Sequence, residues 1–236
     1  MSASADFQTR TIALNHGSGR VPALGFGTLI ADAATTVSAT RDALEAGFRH
    51  FNCAERYRNE REVGEALQAR LAGGAIAREA LFITTRLWNS NHRPERVAPA
   101  FAASLDRLGI DYLDLYLMHT PFAFQPGDEQ DPRDANGNVI YDESVTLLDT
   151  WRAMEKLVDG GTCRAIGLSD ISLDELRPLY EAARIKPAAV QVEAHPYLDI
   201  AALPQDAFDE IDRIETRQRY NEVVKTGSPG FIPRSR

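Results

Sequence analysis

The sequence predicts an α/β fold in which parallel strands alternate with helices. From residue 24 onward, short apolar segments alternate with longer segments of helical periodicity, which is the pattern of βα units. Hydrophobic residues make up 44% of the 236 residues and charged residues 25%, so the chain can bury a core. Polar residues end several predicted strands, where parallel α/β sheets place their active sites. These observations favour a single domain, residues 1–236.

The elements can be predicted in chain order. Residues 11–14 and 20–22 flank the turn-rich stretch NHGSG and predict a β-hairpin. Six parallel strands are predicted at residues 24–27, 49–52, 81–86, 113–119, 165–169 and 189–193. Helices are predicted at residues 36–46, 60–71, 94–108, 147–159, 172–183 and 205–216. Gly47, Pro94 and the capping-box spacing from Ser172 to Glu175 mark helix ends.

The number of strands bears on whether a barrel can close. Closing a (β/α) barrel takes eight strands, and one βαβ unit takes about 30 residues. The residues after Glu193 are too few for two further units, so we expect six of eight. Self-association through the open strand edges is therefore expected. The long polar segment at residues 121–143 is predicted to be a surface loop over one end of the sheet.

Composition excludes several classes of partner. The chain has 26 Lys+Arg and 34 Asp+Glu, a net charge of −8, which argues against nucleic acid. No apolar run approaches the roughly 18 residues of a membrane span, and the start lacks the order of a signal peptide. Cys53 and Cys163 have no metal-ligand spacing, so neither a disulfide framework nor a metal site is expected. These features predict a cytoplasmic protein without a membrane partner.

Four polar side chains are expected at one mouth of the sheet. Asn52, Arg86 and His119 end three successive predicted strands, and Tyr57 follows Asn52 in a loop. A cation beside a phenol makes its hydroxyl a better proton donor to a carbonyl oxygen. The residues therefore suggest carbonyl reduction by hydride from a bound cofactor.

Packing explains several other candidates. His50 is interpreted as a packed core histidine and Cys53 as a small buried hydrophobe. Trp88 suits core packing as well as a substrate wall, and Arg86 suits an interface or capping role as well as catalysis. His92 stands in a polar loop without an assigned role.

Five segments resemble the signatures of the aldo-keto reductase family, in the family's order. They are residues 47–64 (GFRHFNCAERYRNEREVG), 81–89 (LFITTRLWN), 114–121 (DLYLMHTP), 165–170 (AIGLSD) and 191–198 (QVEAHPYL). The resemblance covers residues 10–198, and residues 219–234 are similar to the tail of some bacterial members. It implies a TIM barrel that binds NADP(H) and passes a hydride to an aldehyde or ketone.

The resemblance also assigns roles to the residues of the mouth. Tyr57 matches the family's proton donor, and His119 matches the residue that orients the substrate carbonyl. Asn52 and Arg86 stand where the family has an Asp and a Lys.

The cofactor positions of the family carry over as well. Gly27 and Thr28 match the cofactor-contacting turn after the first strand. Ser169, Asp170 and Gln191 match the groups that hold the nicotinamide carboxamide.

Three departures from the family pattern have consequences. Asn52 keeps a hydrogen-bonding oxygen without charge, and Arg86 keeps a positive charge on a planar fork. A buried cation without its counter-charge costs several kcal/mol, so we expect Arg86 to turn away or to attract a different anion. Between Leu198 and Gln205 the sequence omits the segment for the seventh and eighth strands, which normally holds the adenosine 2′-phosphate. Binding of NADP(H) is therefore expected to be weakened. Residues 232–236 (IPRSR) superficially resemble the phosphate motif, but the residues before them resemble a terminal tail, which argues against a phosphate site there.

The main hypothesis is an aldo-keto-reductase-type oxidoreductase of weak activity that acts on a small-molecule carbonyl substrate. The alternative is a catalytically silent or altered relative, either a binding protein or a defective chain. Asn52, Arg86 and the omitted segment favour that alternative. An isomerase or lyase that uses the same mouth without hydride transfer is a further alternative.

Overall fold

The structure, a computed structural model, describes residues 9–193, and the compact unit considered below ends at Val190. The predicted hairpin is present as β1 (Thr11–Ala13) and β2 (Arg20–Pro22). Within the described residues the main sheet has six strands: β3 (Phe26–Gly27), β4 (His50–Asn52), β5 (Phe82–Leu87), β6 (Leu115–Met118), β7 (Ile166–Ser169) and β8 (Val190–Gln191). The strands lie side by side in chain order, and the pairs from β3 to β7 are parallel. This is the predicted α/β arrangement.

Helices connect the strands. They are α1 (Ala33–Glu45), α2 (Glu60–Ala72), α3 (Pro94–Leu108), α4 (Leu147–Asp159) and α5 (Leu173–Ala182). Both α3 and α4 have the predicted bounds. Capping boxes begin α4 at Thr146 and α5 at Ser172, so the predicted capping box is confirmed. The helix predicted at residues 205–216 lies outside the described residues.

Some predicted boundaries are wrong, for physical reasons. The helix α1 begins at Ala33, before residue 36, because the Asp32 carboxylate accepts a hydrogen bond from Thr35 N and caps the helix there. The strand predicted at residues 113–119 is only β6, so His119 lies just beyond its end. Arg86 does not end its strand, since β5 continues to Leu87.

Side chains alternate between the two faces of the sheet, and this alternation decides which of them reach the site. Ile83 and Leu87 of β5 and Tyr116 of β6 point into the large apolar core, to which buried side chains of the helices also contribute. Leu117 belongs to a smaller cluster, on the opposite face. Arg86, between the core positions of β5, also points to that opposite face.

Candidate active site

Three neighbouring strands deliver polar side chains to one edge of the sheet. Asn52 is the last residue of β4, Arg86 is next to last in β5, and His119 follows β6 directly. These strands are parallel, so their carboxyl ends meet at the same edge.

Tyr57 reaches this edge from the 3₁₀ turn Glu55–Tyr57, which follows β4. The turn ends at Arg58, whose backbone is left-handed with a φ of 59°. The Tyr57 and His119 rings meet edge to face, with their centroids 6.1 Å apart. The guanidinium carbon of Arg86 lies 5.9 Å from the centre of the Tyr57 ring. The structure thus brings Tyr57, Arg86 and His119 together.

Arg86 is held inside the site. Arg86 is only 4% exposed, and its Nη1 donates a hydrogen bond to the Cys53 carbonyl at 2.5 Å. A carbonyl oxygen is an acceptor that carries partial negative charge, so it stabilises the buried cation in part. Arg86 has therefore not turned away from the site, although the sequence allowed that outcome.

Asn52 accepts its hydrogen bonds through the main-chain carbonyl and not through the side-chain oxygen. Its carbonyl accepts hydrogen bonds from Thr28 N and Thr28 Oγ1, both at 3.2 Å. Its side-chain Oδ1 is buried and has no hydrogen-bond partner within residues 9–193. The amide carries no charge, so Asn52 gives Arg86 no counter-charge.

His119 is fixed by its backbone and by ring packing. Its N–H donates to the Leu87 carbonyl at 3.1 Å, and its ring packs edge-on against Trp88 with centroids 5.0 Å apart. Burial, and then the positive charges of Arg86 and Arg56, hold the pKa of His119 well below its usual value of 6.5. At neutral pH the imidazole is therefore neutral, with one N–H donor and one acceptor nitrogen.

Two further histidines are packed against other side chains: His92 is buried and His50 is half-buried. The His50 ring packs against Phe82, as expected for a core histidine, and burial lowers its pKa to about 4. His92 is 2% exposed, and burial lowers its pKa to about 3. The sequence places His92 in a polar loop, and the structure shows that this loop packs against α4, where Thr150 Oγ1 donates to the His92 carbonyl at 2.7 Å.

Gly27 and Thr28 lie beside Asn52 at the end of β3. Thr28 is fully buried, and its carbonyl accepts a hydrogen bond from Asn59 Nδ2 at 2.6 Å. A Cβ added to Gly27 would meet no atom within 4 Å of the described residues, and Gly27 is not in the left-handed region. Neither packing nor backbone conformation there requires glycine. The open space fits a ligand that lies directly against this backbone.

The other proposed cofactor positions follow β7 and β8. Ser169 is the buried last residue of β7, and Asp170 after it is left-handed with a φ of 51°. That conformation is uncommon outside glycine, and residues held in it cluster at functional sites. Gln191 ends β8, past the compact unit that closes at Val190, so the structure does not relate it to the rest of the site.

The sequence did not indicate the residues that hydrogen-bond around the edge of the site. We call this edge the rim; it comprises the turn Glu55–Tyr57 with Arg58, and Trp88. The Glu55 carboxylate accepts hydrogen bonds from Trp88 N at 3.2 Å and from Asn91 Nδ2 at 2.8 Å, and burial raises its pKa. The segment at residues 121–143 is a loop over the carboxyl ends of the strands, where Gln130 bonds to Glu55, Arg58 and Trp88. The available signal was the place of Glu55 inside the motif that contains Tyr57.

Two kinds of site are absent from the described part of the chain. No group of three or more His, Cys, Asp or Glu within residues 9–193 could hold a metal ion. No helix in that range is long and apolar enough to cross a membrane.

Comparison with known proteins agrees with this geometry. The family model described as "Aldo/keto reductase family" matches residues 23–214. The chain belongs to the aldo/keto reductase family. Its fold is the TIM-barrel-like fold of that family, of which the described residues contain the six-stranded parallel sheet.

The relatives of this aldo/keto reductase chain are longer than it is. "Aldo-keto reductase family 1 member A1" of Mus musculus is 44% identical over 191 residues, which are 80% of this chain and 58% of the mouse protein. Member A1-A of Danio rerio is 46% identical over 226 residues, 95% of this chain and 68% of that protein. The aldose reductase from Schistosoma japonicum superposes with a TM-score of 0.78 at 39% identity, over 87% of this chain and 66% of that chain.

Proposed function

We propose that this chain reduces an aldehyde or ketone to an alcohol with NADP(H). The observation that carries the proposal is the meeting of Tyr57, Arg86 and His119 at the carboxyl ends of parallel strands. Membership of the aldo/keto reductase family supports the same reaction class. Since the chain spans 58% of the mouse relative, the activity of the longer proteins comes to it only by proposal.

In the proposed reaction, Tyr57 donates the proton to the carbonyl oxygen. The Arg86 guanidinium beside its ring stabilises the phenolate that remains after proton transfer. The neutral His119 ring offers the carbonyl oxygen a hydrogen bond and so orients it. Trp88, which is buried against the His119 ring, forms an apolar wall that excludes water from this side.

The residues proposed to hold the cofactor are Gly27, Thr28, Ser169, Asp170 and Gln191. NADP(H) supplies the hydride when it is bound. The open space at Gly27 and the left-handed backbone of Asp170 both fit a ligand at the strand ends. Because the sequence lacks the family's segment for the adenosine 2′-phosphate, we expect weak binding with little preference for NADPH over NADH.

The proposed partner is a small carbonyl compound in the cytoplasm. The net charge of −8 disfavours polyanions such as nucleic acid. Cys53 and Cys163 are both free and buried, which fits a reducing compartment.

A catalytically silent relative is the second candidate. Its support is the buried Asn52 Oδ1, which has no hydrogen-bond partner within residues 9–193 and adds no charge beside Arg86. In this candidate the chain binds a nucleotide or a carbonyl compound without turning it over.

Binding and turnover, measured together, distinguish the two candidates. NADPH and NADH are titrated into the protein and followed by their fluorescence, and oxidation of NADPH is then followed with a nitrobenzaldehyde. Tyr57→Phe removes the proposed proton donor, while Tyr180→Phe removes a partly exposed hydroxyl that bonds only to His16 among the described contacts. We expect turnover to fall about 10²-fold or more in Tyr57→Phe and to be unchanged in Tyr180→Phe.

Turnover that is equal in Tyr57→Phe and in the parent would contradict the proposed proton donor. Nucleotide binding without any turnover would favour the silent relative. Tight binding with a strong preference for NADPH would show that another part of the chain holds the 2′-phosphate.

A further inference from the structure

Gln130, in the loop at residues 121–143, bonds to two other segments beside the site: the turn that carries Tyr57, through Glu55 and Arg58, and Trp88. Its Nε2 donates to the Glu55 carbonyl at 3.2 Å, and its Oε1 accepts from Arg58 Nε at 2.6 Å. Its backbone carbonyl accepts from Trp88 Nε1 at 2.6 Å. We call Gln130, Glu55, Arg58 and Trp88 the Gln130 clamp.

One arm of the clamp fixes the turn that carries Tyr57. Glu55 begins this 3₁₀ turn, and Arg58 follows its last residue. Gln130 therefore bonds to both ends of the turn, on either side of Tyr57. Because Arg58 is in the left-handed region, its backbone conformation is held by its surroundings more than by its own preference.

The other arm fixes Trp88, and through it His119. The Trp88 ring packs edge to face against the His119 ring, with centroids 5.0 Å apart, and against Phe124 at 5.7 Å. The bond from its indole N–H to Gln130 sets the rotation of the ring. One loop residue is thus bonded to elements on both sides of the Tyr57 and His119 pair.

The neighbouring ion pair between Arg56 and Asp131 is a weaker candidate for this role. Its atoms are 2.6 Å apart, but the two side chains are 35% and 28% exposed. Pairs of that exposure contribute little, because water screens them. Gln130 makes two bonds through its side chain and one through its backbone carbonyl, so it links the Tyr57 turn to Trp88 through a single residue.

We infer that Gln130 is a positioning residue: it holds the Tyr57 turn and Trp88 in the arrangement that the reaction needs. This inference rests on the proposed function for its effect on rate. None of the bonds of the clamp involves Gly27, Thr28, Ser169 or Asp170. Loss of the clamp should therefore lower kcat and leave the binding of the nucleotide unchanged.

Gln130→Ala removes the two side-chain bonds to the Tyr57 turn and keeps the backbone carbonyl that accepts from Trp88, so Trp88 exchange reports whether those two bonds hold this carbonyl in place. Gln125→Ala is the matched control in the same loop, since the Gln125 side chain is exposed. Exchange of the two indole N–H protons is followed by NMR, with the signals assigned by Trp88→Phe. Trp151 serves as the internal reference, because its indole N–H bonds to Ile185 in the core. Turnover and the Kd for NADPH are measured on the same samples.

In Gln130→Ala the carbonyl at residue 130 is no longer held by the side-chain bonds, so we expect the Trp88 indole proton to exchange about tenfold faster while that of Trp151 stays within twofold. We also expect kcat to fall about tenfold with the Kd for NADPH within twofold of the parent. Arg58→Ala, which removes one of the two bonds to the Tyr57 turn from outside the loop, should shift both readouts in the same direction. Gln125→Ala should match the parent.

Unchanged Trp88 exchange, or equal acceleration of both indole protons, would overturn the clamp. Faster Trp88 exchange with unchanged kcat would overturn its positioning role. If the parent protein binds NADPH and reduces no aldehyde, the proposed function fails, and indole exchange alone then decides whether Gln130 holds the rim.

Discussion

At the ends of β4 and β5, an amide and a guanidinium occupy the places where the family pattern has a carboxylate and an ammonium. Asn52 and Arg86 leave positive charge at the site, and after burial this charge is the next cause that lowers the pKa of His119. A neutral imidazole beside a cation suits an electron-rich oxygen, such as that of a carbonyl. In the proposed reaction this arrangement receives the carbonyl oxygen of the substrate, while Asn52 supplies no charge where the family pattern has a carboxylate.

Acid should destabilise the fold through three histidines whose pKa values are lowered by burial: His50, His92 and His119. Burial lowers the pKa of His50 to about 4 and that of His92 to about 3, whereas an unfolded histidine has a pKa of about 6.5. Below pH 6.5 the unfolded chain therefore binds more protons than the folded chain, and the free energy of unfolding falls as the pH falls toward these values. His50 and His92 each account for roughly a few kcal/mol over the pH range between their folded and unfolded pKa values. Urea unfolding between about pH 7.5 and 4 measures the effect.

His92→Gln removes one of these groups and should flatten this dependence, and His16→Gln, at an exposed position, is the control. Glu55 acts in the opposite direction, because its raised pKa makes protonation favour the folded state. A free energy of unfolding that stays constant from about pH 7.5 to 5 would show that these histidines are not buried in their neutral form.

The sequence could place Tyr57 and His119 at one mouth because both follow neighbouring parallel strands. It could not find the role of Gln130, since Arg58 and Glu55 lie 72 and 75 residues away and a polar loop has no periodicity. The burial of His92 was missed for a related reason, because a polar connection carries no sign that α4 covers it.

At the scale of elements, α2 and α3 pack closely at a glycine. A Cβ added to Gly64 would lie 2.5 Å from the Arg107 carbonyl oxygen and 2.8 Å from backbone atoms of Leu108. Backbone cannot move aside as a flexible side chain can. The small residue therefore sets how closely the two helices approach.

Gly64→Ala should lower the free energy of unfolding by about 1–3 kcal/mol, because the added methyl group forces the two helices apart. Gly73→Ala is the matched control at the end of α2, where an added Cβ would lie 3.5 Å from the nearest atom. It should be neutral or slightly stabilising. Urea unfolding of both variants measures the difference, and equal stability of the two would contradict this account of the helix contact.

Helix ends were predictable where a side chain marks them. Pro94 begins α3 and Ser172 caps α5, as their positions in the sequence predict. The start of α1 was misplaced because its cap, Asp32, precedes alanines that give no amphipathic signal. Short strands such as β3 were predicted too long, since the apolar pattern continues beyond the residues that pair.

At the scale of the whole molecule, the most important feature is the two edge strands of the main sheet. Within residues 9–193, β3 and β8 each have one neighbour in the main sheet. Unpaired strand edges invite pairing with another chain. We therefore expect the 236-residue chain to form oligomers or a loosely packed state.

Sedimentation and thermal unfolding test this expectation. Oligomers, or a broad transition without a sharp midpoint, are the expected results. A monomer with a single sharp transition would contradict it.

Whether the site or the omitted segment limits the rate is the central question for the molecule. The measurement compares NADPH oxidation with a nitrobenzaldehyde by the parent, Asn52→Asp, Arg86→Lys and the double variant. The double variant recreates the carboxylate and ammonium pair that the resemblance implies beside Tyr57. Arg86→Lys alone introduces an ammonium without a carboxylate beside it. Asn52→Asp alone leaves the planar guanidinium of Arg86, which cannot replace an ammonium.

If Tyr57 and His119 form a carbonyl-reducing site, the double variant should be about 10² to 10⁴ times faster than the parent. The single variants should gain much less, so that the two effects are strongly non-additive. A double variant that binds NADPH and is no faster than the parent would contradict the account. The limit would then lie in the segment that the sequence omits after Leu198.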